Sequence, residues 1–121
     1  MKEGDVVLTP IPQADGAVKN RPAIILREMP PYGDFLVSGV STQLDKEVKG
    51  FDDLISLTDD DFESSGLRTA SLVRLGFLAV LPSVQIIGTI GSLASARHRK
   101  LLKTLSDYLI VRQRGSSPLN F

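Results

Sequence analysis

Two short stretches hold the residue types that can do chemistry in this chain: KNRPAIIL, with Arg21 at its entrance, and VSTQ, with Ser41, Thr42 and Gln43. An arginine stays charged and presents a planar fork of donors suited to phosphate oxygens, and a hydroxyl can donate to the same group. At the ends of adjacent strands the two would form a small oxyanion clamp. A surface ion pair and a strand-end hydroxyl pair use the same residue types, so the residues alone leave both readings open. Other chemistries have little to draw on. The chain has no cysteine, which removes thiolate ligands, thiol nucleophiles and disulfides. Its single histidine, His98, stands in RHRK among cations that oppose a divalent metal, on what should be the exposed face of a terminal helix. A Ser/His/Asp triad has no other base to use. The acidic run TDDDFE lacks the alternating ligand spacing of a calcium loop and reads as a solvated helix start. No metal and no cofactor is expected.

Strands must position the clamp. GDVVLTPI reads as a first strand and PQADGAVKN, with Pro, Asp, Gly and Asn together, as a loop. RPAIILRE reads as a second strand, in which Pro22 is tolerable only near the start or on an edge. MPPYGD turns the chain into FLVSGVST, a third strand, and DLISL supplies a short fourth after the polar LDKEVKG. TDDDFESSG carries an N-cap signature, Thr58 followed by acids, and predicts one helical turn. SLVRL, FLAVL and IIGTI predict three further short strands. From Ser95 onward Leu101, Leu102, Leu105 and Leu109 recur at helical spacing, so an amphipathic helix should lie on the sheet and end near Val111.

The expected architecture is one mainly β domain over residues 1–111, a small, strongly bent sheet or barrel capped by the C-terminal helix, with a flexible tail over residues 112–121. A length of 121 residues suits one domain and one core. Residues 75–96 carry no charge and are long enough to cross a bilayer of about 20 helical residues, but Pro82, Ser83, Gln85 and three glycines divide them into two buried strands broken at Pro82-Ser83. The start, MKEGDVVL, has acids where a secretory signal has an apolar run, so a cytoplasmic protein without a membrane segment is expected. Net charge is zero, yet residues 1–66 sum to −7 and residues 67–121 to +7. Either the surface is dipolar, with a basic face for phosphate or an acidic segment, or the halves neutralise each other locally.

The order GDVVLTPIP, a polar loop, then NRPAIIL resembles the N-terminal signature of the MazF/PemK family of toxins. LVSGVSTQ resembles the family's third strand, SLVRL its Ser-Val strand, and IGTIGSLASARHRKLLKTL its closing strand and C-terminal helix. The resemblance runs from Gly4 to Leu109 and implies a dimeric SH3-like barrel. It further implies a metal-independent endoribonuclease that cuts single-stranded messenger RNA to a cyclic phosphate and a 5′-hydroxyl, held inactive by an antitoxin and reaching DNA only through it. On this resemblance Arg21 matches the catalytic arginine. Ser41 matches the catalytic threonine if Gln43 fixes the register, and Thr42 does if the register slips by one. Gln13, Lys19, Asn20 and Gln43 would contact RNA from beside the site. The familiar Arg-Thr-Ile-Asp segment is here Ala79 to Pro82, and the loop rich in Gly, Glu and Gln reads QADGAVKN. Two alternatives share the fold: a toxin that poisons DNA gyrase by protein contact, against which the absence of a terminal tryptophan counts, and a catalytically inactive dimer that only binds an antitoxin or operator complex.

Overall fold

In the computed structural model, residues 1–12 and 15–111 are described, residues 11 and 12 by their backbone. Gln13 and the expected tail, residues 112–121, lie outside them. The β-branched runs form strands where their pattern predicts: β1 (Asp5–Pro12), β2 (Val18–Met29), β3 (Asp34–Ser41) and the short β4 (Asp53–Ile55). A single turn, α1 (Phe62–Ser65), precedes β5 (Ser71–Leu81) and β6 (Gly88–Ser92), and α2 (Ser95–Ile110) closes the chain. Neighbouring strands are antiparallel, in the order β4-β5-β3-β2-β1-β6. The sheet curls into a half-barrel because its ladders slip at Val6/Val7, Ile25/Arg27 and Ser38/Gly39. Each such irregularity bends a strand and adds twist.

Alternation along the strands sorts side chains onto two faces. Val6, Ile24, Leu26, Val73 and Leu75 are buried on one, against Leu101 and Leu105 of α2. Val7, Ala23, Ile25, Phe35 and Val37 form a second, smaller cluster on the other, with Ile86. The helix covers the first face only. Full burial of a Leu, Ile or Val side chain contributes roughly 1.5–3 kcal/mol, so the helix-covered cluster carries most of the stability. α2 starts and stops as its leucine spacing predicts. Leu109, however, projects beyond the sheet and is 68% exposed.

Several expectations give way. SLVRL and FLAVL are one strand, β5, in which Leu75, Gly76 and Phe77 are the extra residues where Gly39 pairs with Arg74 and Ser38 with Leu78. Gly76 reads as a break but sits in a bulge. The uncharged span is buried only in part: Leu75, Ile86 and Leu93 are in the core, but Phe77, Val80, Val84 and Ile87 are all more than half exposed. Among the described residues no helix is long and apolar enough to cross a membrane. Lys19 and Asn20 belong to β2, paired with Ile11 and Pro10, rather than to a loop. Pro22 is not near the start of β2, which begins at Val18, nor on an edge strand; it pairs with Leu8 of β1 one residue before the β3 ladder begins at Ala23, so only its β3 side is unpaired. Thr58 does not cap α1, whose N-cap residue is Asp61.

Charge settles locally across the two halves. Arg97 of α2 donates all five of its N–H groups: Nε to Asp61 at 2.8 Å, Nη1 to Asp53 at 2.7 Å and to the Leu54 carbonyl at 3.1 Å, Nη2 to Asp59 at 2.7 Å and to Asp61 at 2.9 Å. Lys100 adds a bond to Asp53. Asp59 and Asp61 of the acidic run therefore anchor the helix, while Asp60 and Glu63 face solvent as expected. His98 is half-buried, not exposed, and its Nε2 donates to the Leu26 carbonyl at 2.8 Å, tying α2 to β2.

Candidate active site

A cavity of about 570 Å³ opens on the sheet face that α2 leaves uncovered. It lies where β2 and β3 stop pairing, at Ala23 and Gly39. Two residues further along those strands, in the direction of parting, stand Arg21 and Ser41, and both line the cavity. The fold places Arg21 there through parity: it shares a face with Ala23 and faces Thr9 across β1, and Thr9 and Ala23 line the same cavity. Ser41 shares a face with Val37 and Gly39, which also line it. Thr42, exposed and one residue past β3, is not part of the lining.

Gln43 completes this side of the cavity. Its backbone N–H donates to Ser41 Oγ at 3.0 Å, a turn that uses an oxygen lone pair of the serine and leaves the hydroxyl proton to be donated. Lys19 has the parity of Arg21 on the β1–β2 ribbon but lies outside the lining, and Asn20 has the opposite parity.

A second cation, Arg74 of β5, lines the cavity as well. Sequence reasoning passed it over, although a lone arginine between the buried Val73 and Leu75 is a readable signal. The wall is completed by Phe77, Leu78, Ala79 and Leu81, and among the described residues the lining contains no carboxylate and no imidazole. Two guanidiniums at an apolar wall offer donors suited to an anion, with the Asp52 carboxylate 3.9 Å from Arg74 Nε offsetting part of the charge. Such a cavity attracts an anion, and its low-dielectric wall strengthens the attraction.

No protein-family model and no curated protein matches the chain. Its fold, a curled antiparallel half-barrel with a C-terminal helix, is that of the MazF toxins. Among the solved structures that share it is Mycobacterium tuberculosis toxin MazF-mt6, with a TM-score of 0.64 over 90% of this chain and 99% of that one. Sequence identity is 17%, so the likeness establishes the fold.

Proposed function

We propose that this chain is a toxin of a toxin-antitoxin pair, a metal-independent endoribonuclease that acts in the cytoplasm on single-stranded messenger RNA. The observation that carries the reading is the shared cavity of Arg21 and Ser41, with no acid among the described residues of its lining. In RNA the neighbouring 2′-hydroxyl is an internal nucleophile, so the protein has chiefly to align it and stabilise charge on phosphorus. The 2′-oxygen bonds to phosphorus, the bond to the 5′-oxygen breaks, and a 2′,3′-cyclic phosphate and a 5′-hydroxyl result. Arg21 and the Ser41 hydroxyl stabilise the phosphorane oxygens, and Gln43 holds the serine. The 2′-hydroxyl gives up its proton as it attacks and the leaving 5′-oxygen takes one up, so the step balances.

The reading includes a homodimer and a cognate antitoxin. Support for the dimer is the number of exposed apolar side chains on β5 and the segment after it, Phe77, Val80, Val84 and Ile87, of which Val84 is 89% and Ile87 55% exposed. Exposed apolar surface, where it gathers into a patch, is commonly covered by a partner. Sedimentation should give twice the chain mass, and Ile87→Asp with Val84→Asp should halve it; a monomeric wild-type protein removes this part of the proposal.

Incubation of the purified protein with single-stranded RNA in EDTA tests the activity. Cyclic-phosphate ends should form, and Arg21→Ala should slow their formation about 100-fold or more, the usual effect of losing one transition-state donor. RNA left intact by the wild-type protein overturns the nuclease reading, and growth arrest retained in Arg21→Ala then points to a protein target such as gyrase.

A further inference from the structure

We propose that Arg74 is a second phosphate-binding residue of the cavity, holding the RNA phosphate next to the one that reacts at Arg21 and Ser41; this rests on the nuclease reading above. Arg74 belongs to a cross-strand row with Gly39 and Ala23, on β5, β3 and β2. Arg21 and Ser41 lie two residues beyond that row, about 7 Å along the strands. The two guanidiniums thus enter one cavity from different strands and different rows. A single phosphate needs one arginine fork, whereas a chain with a charge on every nucleotide can use two.

What surrounds Arg74 keeps it in place without using up its donors. Its guanidinium carbon lies 4.1 Å from the centre of the Phe77 ring, an arrangement that holds a cation flat against an aromatic face. Asp52 Oδ2 is 3.9 Å from Nε, close enough to attract but too far to accept a hydrogen bond. Both Asp52 oxygens already accept backbone N–H groups, from Val48 at 2.9 Å and from Leu75 at 3.2 Å. Nε itself is buried and makes no hydrogen bond to any described residue. An arginine whose side chain is only 22% exposed and whose Nε its own fold leaves without a hydrogen bond is unusual, since arginine is chosen for its complement of donors. An anion in the cavity supplies acceptors for the rest of the fork.

The test uses the full-length protein and an RNA whose cut site has first been mapped with the wild type, together with its uncleavable form bearing a 2′-O-methyl group at that site. Arg74→Gln should weaken binding of the uncleavable RNA about tenfold and lower the slope of log affinity against log salt by about 0.7, the value for one phosphate no longer neutralised on a single strand. KM should rise more than kcat falls, and Arg74→Lys should restore the salt slope. Independently of whether Arg74→Gln folds, a neutral methylphosphonate at each phosphate adjoining the cut should weaken wild-type binding at one of them, with no further loss at that position in Arg74→Gln. Cleavage by the wild type with unchanged affinity and salt slope in Arg74→Gln overturns the role of Arg74 alone, as does indifference of the wild type to both methylphosphonates. A wild type that cuts no RNA instead overturns the nuclease reading on which it rests.

Discussion

On the proposed nuclease reading, strand parity favours Ser41 over Thr42 as the hydroxyl that meets the phosphate. Ser41 is the last residue of β3 and shares a face with Gly39 and Val37 in the cavity wall, whereas Thr42 lies past the strand and outside the lining. Ser41→Ala should therefore cut the rate of RNA cleavage about 100-fold, and Thr42→Val should stay within a few-fold of wild type. Stopped-time cleavage of one RNA by the two variants checks the order; a larger loss at Thr42 would mean that the strand slips by a residue when RNA binds. Arg21 was legible as a candidate, and the structure shows only that it lines the cavity; its residue type, its place before Pro22 and the following apolar run need no register to be read. The choice between Ser41 and Thr42 was not, since adjacent residues differ only in the face they occupy. Arg74 was hidden for a related reason. In SLVRL it looks like a solvated interruption, and only the pairing of Gly39 with Arg74 brings it into the same cavity as Arg21.

At the level of elements, one close approach sets where the half-barrel ends. Gly66 caps α1 at φ 74°, and a Cβ built on it would collide with the Ile90 carbonyl oxygen of β6. Gly91 is the reciprocal contact, its Cβ position falling on the Ser64 carbonyl oxygen. The turn of α1 and the edge strand β6 thus touch backbone to backbone, which only glycine permits. Gly66→Ala must both strain the left-handed φ and push two backbones apart, and it should cost about 3 kcal/mol or more in a urea titration. Gly16→Ala, at φ 87° with open space around it, should cost only about 1 kcal/mol. Equal losses at the two positions would show that strain in φ, not the contact, dominates. The sequence carried the strands and the terminal helix because both are written as local periodicity. The contact of Gly66 with Ile90 bridges distant positions that no local pattern connects. The continuity of β5 through Gly76 was lost in the same way, since a glycine in a strand marks a bulge as readily as an end.

For the molecule as a whole, the opposed charges of its two halves are a means of joining them. Arg97 gathers Asp53, Asp59 and Asp61 from three places in the acidic half and fastens them to the helix that closes the chain. Asp61 Oδ2 also accepts the Ala94 N–H at 3.0 Å, so one carboxylate binds the helix start as well as the arginine. Hydrogen bonding to Arg97 holds the Asp61 carboxyl below the ordinary carboxylate range, while burial opposes this; the Ser56 backbone and hydroxyl, then Arg97, lower Asp59 too. A carboxyl depressed in the folded state binds its proton more readily when unfolded. The stability it contributes is complete above its unfolded value of about 4 and is lost as pH falls through the lower folded value. Wild-type stability measured in urea should accordingly hold from pH 7 to about pH 5 and drop steeply below pH 4. Replacing the arginine inverts the argument, because Asp53 and Asp61 are then crowded and largely buried with only Lys100 nearby. Arg97→Met should lose about 3–5 kcal/mol at pH 7, as expected when one partner of a buried ion pair is removed. Asp61 and Asp59 lose the Arg97 hydrogen bonds that lower their carboxyls, so the gap between variant and wild type should narrow as the buffer is taken from pH 7 to pH 3.5. A gap of constant size over that range would mean that Arg97 acts through packing of its side chain and not through the charges it gathers.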